Sequence, residues 1–335
     1  MPVRVAINGF GRIGRNVLRA AWGRPDVEFV HINDLTKPDM LAYLLKRDSV
    51  HGTWEHDVKA SDDGIVIDGV LVPVTAEKDP ARLPWSASKV DVVMECTGLF
   101  TSKAACQAHI SAGARKVVIS APGDKDVDGT FVMGVNDEGI DPIHHTVVSN
   151  ASCTTNCLAP MVKPLDSAIG VVHGLMTTIH SYTMDQSLLD TPHRKGKFRR
   201  ARAAALNMVP TETGAAKAIG LVLPQLKGKF NGLAIRVPTP NVSLVDLVFV
   251  AGRDTTIDEV NGLLRDAANG PLKGILEASD EELVSSDLIG NPHSSIVDLS
   301  LTDVIGGRLV KVLAWYDNEW GFSNRMTDLA VRIGS

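Results

Sequence analysis

The first 34 residues carry the pattern that most constrains the fold. Residues 3–8 are rich in β-branched side chains and are followed by glycine, so they predict a strand. The sequence GFGRIG follows at 9–14, and residues 15–22 then show the amphipathic spacing of a helix that Gly23 ends. A lone GxGxxG is weak evidence. In this order, however, the glycines allow a tight turn and let a pyrophosphate approach the backbone at a helix N-terminus.

An acidic residue completes this pattern. Residues 27–33 predict a second strand, and Asp34 follows it, 20 residues beyond Gly14. A carboxylate at this position accepts hydrogen bonds from ribose hydroxyls and disfavours a 2′-phosphate. Alone, Asp34 is equally explained as a turn residue after a strand. Because it follows the first strand, the glycines, the helix and the second strand in the expected order and spacing, it predicts a dinucleotide site.

Three later segments, residues 90–96, 116–120 and 145–148, also predict strands, and residues 102–110 predict a helix between the first two. Strands that alternate with helices indicate a mostly parallel, doubly wound α/β sheet of the Rossmann type. Ligands then lie beyond the carboxyl ends of the strands, which includes the loops at 97–98 and 120–122.

Length and charge limit the remaining possibilities. A chain of 335 residues suggests two domains, and a net charge of -5 without a long basic run indicates neither a nucleic-acid nor a membrane partner. The densely cationic segment 193–202 is a local exception. The four cysteines lack metal-ligand spacing and their scarcity favours a reducing compartment. With no signal peptide and no apolar run of transmembrane length, we expect a cytoplasmic protein without a bound metal.

The sequence SCTTNC at 152–157 predicts a reactive thiol. It lies between a strand-like run that ends at Val148 and a helix-like run at 158–162, which puts Cys153 at a strand-to-helix junction. Backbone N–H groups and the helix dipole at such a junction lower a thiol's pKa, so Cys153 is a candidate nucleophile. The alternative is that Cys153 and Cys157 are both small buried hydrophobic residues.

A histidine follows at the end of a predicted strand. His180 lies 27 residues after Cys153. A single histidine at a strand end is commonly structural, but a nucleophilic thiol needs a nearby imidazole that accepts a proton and later returns it.

Six segments together resemble the phosphorylating glyceraldehyde-3-phosphate dehydrogenases: residues 8–14, 151–157, 180–183, 199–205, 213–217 and 315–319. The resemblance runs from residue 3 to about 330. It implies a discontinuous NAD-binding Rossmann domain of residues 1–151 and 316–335. It also implies an α+β catalytic domain of residues 152–315 with a mostly antiparallel sheet, which the strand-rich segment 242–250 suits. The final segment, from about Trp315 to 332, has helical apolar spacing.

The resemblance also implies the roles of individual residues. Cys153 would be the nucleophile, and His180 would activate it and serve as acid and base. The residues that would bind NAD are Gly9, Gly11, Arg12, Ile13, Gly14, Asp34, Lys78, Thr97, Gly98, Ser120 and Asn318, the last at the nicotinamide carboxamide. Those that would bind the substrate phosphate or inorganic phosphate are Ser152, Thr154, Thr183, Arg199, Arg200, Thr213, Gly214 and Arg236, with the choice between Arg199 and Arg200 open. Arg236 interrupts an apolar strand, where an anionic ligand would offset the cost of burying its charge.

The activity implied by the resemblance is the reversible, NAD-dependent oxidative phosphorylation of D-glyceraldehyde 3-phosphate to 1,3-bisphosphoglycerate in glycolysis and gluconeogenesis. It would proceed through a hemithioacetal and a thioester on Cys153, in a homotetramer. Asp34 and Pro192 favour NAD over NADP. An erythrose-4-phosphate dehydrogenase is an alternative that Thr183 disfavours. A redox-sensing or RNA-binding protein on a dehydrogenase scaffold is the alternative outside enzymes.

Two segments depart from the family's usual pattern. The loop at 194–198 is longer and more basic, and Met184 stands where relatives carry a polar or small residue. In the family both lie in the region that approaches a neighbouring subunit's cofactor.

Overall fold

The computed structural model describes residues 1–335, which form two compact units. The first unit comprises Met1–Ser152 together with Ser323–Ser335, and the second comprises Cys153–Phe322. The domain boundaries predicted after residues 151 and 315 stay a prediction.

The first unit is built around a nine-stranded sheet. Its elements up to residue 152 are β1 (Val3–Asn8), α1 (Arg12–Ala21), β2 (Val27–Asn33), α2 (Pro38–Lys46), β3 (Arg47–Asp48), β4 (Gly52–Thr53), β5 (Val58–Ser61), β6 (Gly64–Ile67), β7 (Val70–Thr75), β8 (Val92–Glu95), α3 (Lys103–Ser111), β9 (Lys116–Ile119), β10 (Gly129–Thr130) and β11 (Val147–Ser149). The strand order is β10-β11-β9-β8-β1-β2-β7-β6-β5. All neighbours from β10 to β7 are parallel, whereas β6 and β5 continue the sheet antiparallel.

The second unit contains a seven-stranded sheet. Its elements are α4 (Cys153–Ile169), β12 (Val171–Ser181), β13 (Val209–Glu212), α5 (Ala215–Val222), β14 (Phe230–Val237), β15 (Ser243–Ala251), α6 (Ile257–Asn269), β16 (Leu276–Ser279), β17 (Ser295–Ile305), β18 (Leu309–Tyr316) and the start of α7 (Trp320–Gly334). The strand order is β13-β14-β12-β15-β18-β17-β16. Four of its six neighbouring pairs are antiparallel, and only β14 with β12 and β16 with β17 are parallel.

The burial pattern of the central strands agrees with the parallel pairing in the first sheet and the mostly antiparallel pairing in the second. Every residue of β8 and β9 is buried, as expected of parallel strands covered on both faces, which read as continuous apolar runs. In β15, buried and half-buried residues alternate, which is the pattern of an antiparallel strand with one face on the core. The predicted combination of a Rossmann-type sheet with a mostly antiparallel sheet is therefore confirmed.

Helix α7 returns the C-terminus to the first unit. Arg24 Nη1 donates to Asp328 Oδ1 at 2.8 Å, and a Cβ on Gly334 would lie only 2.5 Å from Val3. The predicted start of this helix near Trp315 is wrong. Residues 315 and 316 complete β18, because that strand pairs with β15 on one side and β17 on the other. None of the helices has the length and apolar character that crossing a membrane requires.

Candidate active site

The glycine turn of the first unit is as tight as the sequence predicts. Gly9 has φ +90°, and a Cβ there would lie 2.7 Å from the backbone nitrogen of Thr97. A Cβ on Gly14 would lie 2.3 Å from the carbonyl oxygen of Gly9, so no side chain fits where α1 packs on the turn. Only glycine is compatible with either position.

Gly11 differs from these two glycines because a Cβ there would meet no heavy atom within 4 Å. It is the N-cap of α1, and no side chain caps this helix end. The first turn of a helix presents N–H groups and a partial positive charge that favour an anion. The open space at Gly11 and the uncapped helix N-terminus fit a pyrophosphate that approaches the backbone.

Asp34 reaches across to this turn. Its Oδ2 accepts a hydrogen bond from the Phe10 backbone nitrogen at 2.8 Å, and its Oδ1 accepts one from Thr36 at 2.9 Å. A carboxylate has about four acceptor positions, so both oxygens retain capacity for ribose hydroxyls.

The other predicted nucleotide residues of the first unit lie on neighbouring loops. Thr97 and Gly98 follow β8, Ser120 follows β9, and the exposed Lys78 lies beyond β7. Arg12 forms an ion pair with Asp48 on the first turn of α1, where Ile13 is its half-buried neighbour. All these loops follow the carboxyl ends of parallel strands, which is where this sheet type binds ligands.

The predicted thiol and imidazole meet within the second unit. Cys153 is the first residue of α4, His180 is the penultimate residue of β12, and Cys153 Sγ lies 3.6 Å from His180 Nε2. His180 Nδ1 lies 2.7 Å from the carbonyl oxygen of Ser181. Arg236 Nη1, which can only donate, lies 3.1 Å from the same Nδ1. The carbonyl oxygen, which can only accept, is nearer, and Arg236 Nη1 has two other acceptors. The shorter contact therefore favours the tautomer with the proton on Nδ1 and the lone pair of Nε2 towards the thiol.

Burial keeps this pair neutral in the resting protein. Loss of water around the imidazole, together with the nearby Arg236 charge, lowers the pKa of His180 to about 3. Loss of water around the sulfur raises the pKa of Cys153, and this outweighs Arg236 and the hydrogen bonds from Thr154. The prediction that the helix start gives this thiol a lowered pKa is therefore wrong for the net effect. A neutral thiol at this position becomes a nucleophile only by losing its proton, and His180 Nε2 is the proton acceptor beside it.

A cationic cluster surrounds His180. Arg236 Nη1 donates to the carbonyl oxygen of Ser181 at 3.0 Å and to Thr183 Oγ1 at 2.9 Å, while its Nε is buried without a hydrogen-bond partner. Thr183 in turn donates to Asp185, which also pairs with Arg200. Although burial acts to raise it, the Thr183 hydroxyl and Arg200 hold the pKa of Asp185 below its usual value. The buried Arg236 N–H is a donor for which the protein supplies no acceptor.

A tyrosine braces the start of α4. Tyr316 Oη lies 2.8 Å from Thr154 Oγ1 and 2.9 Å from Thr178 Oγ1, and its ring meets the His180 ring edge-on at 6.0 Å. Burial raises the pKa of Tyr316 well above its usual value, so its hydroxyl remains a neutral donor and acceptor.

The remaining residues predicted to bind phosphate or NAD in the second unit lie near β13 and the start of α5, or just after β18. Arg200 Nε donates to Thr211 Oγ1 at 3.0 Å, whereas the exposed Arg199 donates only to the Pro210 carbonyl at 3.3 Å. Thr213 Oγ1 accepts a hydrogen bond from the backbone nitrogen of Ala215, the first residue of α5, and Gly214 between them is the N-cap residue of this helix. The other place is the end of β18, where Ser243 Oγ donates to Asn318 Oδ1 at 2.8 Å and orients its amide. Ser152, the last residue of the first unit's long segment, is half-buried.

Sequence reasoning assigned no role to Tyr316 or Asp185. Tyr316 lies in a matched segment, 163 residues beyond Cys153, and only the pairing of β15 with β18 brings it to the site. Asp185 follows Thr183 by two residues, and this spacing was the one available signal for its contact with the Thr183 hydroxyl.

Known protein families match both the part of the chain with the glycine turn and the part with Cys153 and His180. A family model described as the NAD binding domain of glyceraldehyde 3-phosphate dehydrogenase matches residues 3–103, and one described as its C-terminal domain matches residues 152–318. The glyceraldehyde-3-phosphate dehydrogenase 1 of Bacillus subtilis (strain 168) is 56% identical over 333 residues, covering 99% of this chain and 98% of the relative. The plasmid-encoded enzyme of Cupriavidus necator is 58% identical, covering 99% of each chain.

The chain belongs to the glyceraldehyde-3-phosphate dehydrogenase family. Membership of this family makes it an oxidoreductase that oxidises glyceraldehyde 3-phosphate with NAD, a reaction of glycolysis. The predicted family, enzyme class and cofactor are thereby confirmed. The roles of individual residues stay predictions, to which the geometry above gives a physical basis.

Proposed function

We propose that the chain carries out the phosphorylating form of this oxidation, through a thioester on Cys153. The observation that carries the proposal is the approach of Cys153 Sγ to the unprotonated Nε2 of His180, whose Nδ1 proton is held by Ser181. An imidazole fixed in this tautomer accepts the thiol proton as the sulfur attacks the aldehyde carbon, and it returns that proton to the aldehyde oxygen, which completes the hemithioacetal. The neutral imidazole can then accept the hydroxyl proton of the hemithioacetal as the hydride leaves.

The protein's own groups support each step. The backbone N–H of Cys153, at the start of α4, stabilises the oxyanion that forms on the aldehyde oxygen. When bound, NAD supplies the hydride acceptor for the oxidation. The resulting thioester is cleaved when a phosphate oxygen bonds to the acyl carbon and the Cys153 sulfur leaves as thiolate. The products are an acyl phosphate and the free nucleophile.

Two anion sites are proposed from the cationic and hydroxyl groups. Arg236 and Thr183 hold the substrate's phosphate, because the buried Arg236 Nε lacks a protein partner. Arg200, Thr154, Thr213 and Gly214 hold the attacking phosphate, with Ser152 adjacent in sequence. We favour Arg200 over Arg199 because Arg200 is half-buried and linked through Asp185 to Thr183, whereas Arg199 is exposed.

The cofactor residues follow the same reasoning. We propose that Gly9, Gly11 and Gly14 admit the pyrophosphate at the N-terminus of α1, with Arg12 and Ile13 on its first turn, and that Asp34 accepts from the ribose. Lys78, Thr97, Gly98 and Ser120 line the remaining loops. Asn318, oriented by Ser243, would bind the carboxamide.

Replacing the nucleophile tests the proposal, with Cys157 as the matched control. Cys157 lies on α4 one turn deeper, fully buried, with its Sγ 3.7 Å from Ser295 Oγ. Cys153→Ser should abolish phosphate-dependent NAD reduction while leaving NAD binding intact, whereas Cys157→Ala should retain turnover. Sustained turnover of Cys153→Ser would falsify the nucleophile assignment, and full turnover without phosphate would exclude phosphorolysis.

We further propose that the protein works as a homotetramer in the cytoplasm. Five large apolar side chains between residues 184 and 208 are exposed by 74% or more, namely Met184, Leu188, Phe198, Leu206 and Met208. Such a concentration of exposed apolar surface favours coverage by a partner. Light scattering at assay concentration should give four times the 35.9 kDa mass of the chain, and a monomer mass would contradict the proposal.

A further inference from the structure

A continuous chain of buried polar side chains lies beneath the cofactor edge of the first unit's sheet, and the reaction does not use it. We propose that Glu95 is a positioning residue for the cofactor, which ties the Gly9 turn to the Thr97 loop and is itself held by Trp85 through His109. This inference rests on the proposed function, because it takes the Gly9 and Thr97 loops to line the NAD site.

Glu95 uses both carboxylate oxygens. Oε1 accepts from the Thr97 backbone nitrogen at 2.8 Å and from the Thr97 hydroxyl. Oε2 accepts from Asn8 Nδ2 at 2.6 Å and from His109 Nε2 at 3.2 Å. Glu95, Asn8 and His109 are all buried, with 2% exposure or less. Four donors thus satisfy a carboxylate that has neither lysine nor arginine beside it, and a buried carboxylate requires such donors.

The direction of the His109 contact is fixed by Trp85. The indole Nε1 of Trp85 lies 3.0 Å from His109 Nδ1, and both side chains are fully buried. An indole nitrogen can only donate, so Nδ1 must accept, and the ring proton of neutral His109 lies on Nε2, facing Glu95. Trp85 therefore selects the tautomer that donates to the carboxylate, as a second hydrogen bond commonly does for histidine.

The chain continues in the other direction through Asn8. Asn8 Oδ1 accepts from Asn33 Nδ2 at 2.8 Å, and Asn33 Oδ1 accepts from the Glu77 backbone nitrogen at 2.9 Å. Asn33 precedes Asp34, and Glu77 precedes Lys78. One connected network therefore reaches four of the loops to which cofactor contacts are assigned, those after β1, β2, β7 and β8.

Such a network serves binding by ordering the loops in advance. Loops that are already held in the bound arrangement lose less conformational entropy when a ligand arrives. Glutamine at position 95 has nearly the same shape, but its NH₂ group would face either the Thr97 donors or the Asn8 and His109 donors. One pair of donors would then lose its acceptor, and the loop that depends on it would be released.

The experiment compares Glu95→Gln and Trp85→Phe with Val117→Ala in the full-length protein. Val117 is fully buried in the same core cluster as Trp85 but takes no part in the network. Equilibrium binding should give about a tenfold higher Kd for NAD in Glu95→Gln, which is the ratio for about 1.4 kcal/mol. Trp85→Phe should give a smaller increase. The KM for NAD should rise in both variants, while the KM for glyceraldehyde 3-phosphate stays constant.

The control separates positioning from general loss of stability. Val117→Ala should lower the Tm of the NAD-free protein through its cavity yet leave the Kd for NAD unchanged. The double variant should bind NAD no more weakly than Glu95→Gln alone, because Trp85 acts only through the carboxylate. Independent effects of the two substitutions, or a Kd shift in Val117→Ala as large as in Glu95→Gln, would overturn the inference. If Glu95→Gln does not fold, an unchanged Kd in Trp85→Phe overturns it. Failure of the unsubstituted protein to bind NAD would instead count against the proposed function.

Discussion

Arg236→Lys should separate recognition of the substrate's phosphate from the chemistry at Cys153. Arg236 Nη1 is engaged by Ser181 and Thr183, and its buried Nε is the donor that the protein leaves without an acceptor. Lysine retains the positive charge, but its three N–H donors share one nitrogen, so it cannot occupy both the position from which Nη1 holds these two acceptors and the position from which Nε faces a phosphate.

The expected loss follows from one hydrogen bond. A hydrogen bond to a charged group contributes about 1.5–3 kcal/mol, which corresponds to a factor of roughly 10 to 150 in kcat/KM for glyceraldehyde 3-phosphate. Unphosphorylated D-glyceraldehyde lacks the phosphate that we propose Arg236 binds. Its kcat/KM should therefore change by less than about threefold in the same variant, since both the charge near His180 and the Cys153 site remain.

Initial rates of NADH formation with both aldehydes, at saturating NAD and phosphate, provide the measurement. An equal loss of kcat/KM for the two aldehydes would refute the reasoning. It would mean that Arg236 acts on the pair of Cys153 and His180 rather than on the phosphate. A pH profile of Arg236→Leu distinguishes that case, because removal of the charge should raise the pKa of His180, which burial and Arg236 together depress.

Three further outcomes are expected. Gly14→Ala should destabilise the protein even without NAD, because its Cβ would clash with the Gly9 carbonyl oxygen. Gly11→Ala should fold normally and lose NAD affinity, because a Cβ there meets no atom within 4 Å. Equal Tm values for the two variants without NAD would contradict this difference in stability. Tyr316→Phe should lower the free energy of unfolding by about 1–3 kcal/mol and raise the KM for phosphate through Thr154; an unchanged KM in steady-state assays would disprove the second part. The unfolding free energy should fall as the pH drops below about 6.5, because folded His180 stays neutral down to a pKa of about 3 whereas the unfolded chain binds the proton. Relative to His180→Gln, the loss should amount to at most about 1.4 kcal/mol per pH unit, and parallel denaturation curves for both proteins would refute it.

The pKa values at Cys153 and His180 show how far local reasoning reaches. A thiol at a helix start is expected to ionise easily, from the dipole and the N–H groups alone. The net shift in pKa has the opposite direction for Cys153 because burial in the fold removes water from its side chain, as it does from that of His180. The degree of burial depends on the whole unit, and no stretch of sequence around Cys153 contains it.

By itself, the sequence determined the local chemistry and the fold class. The turn at residues 9–14, the acid at position 34 and the junction at Cys153 follow from short patterns, because strand and helix periodicities and glycine geometry act over a few residues. The resemblance to a family then implied roles for residues, such as Arg236 and Asn318, whose distance along the sequence does not indicate that they share a site.

Only the tertiary structure decided which distant residues meet. In the folded protein, the hydroxyl of Tyr316 contacts that of Thr154. Residues near 315, where the sequence predicted the start of a helix, instead form the end of β18, because the strands on both sides pair with that segment. The tertiary structure also joined Trp85, His109 and Glu95 to the turn that opens the chain. Such contacts arise from the order and register of strands far apart in sequence, which periodicity within one segment does not specify.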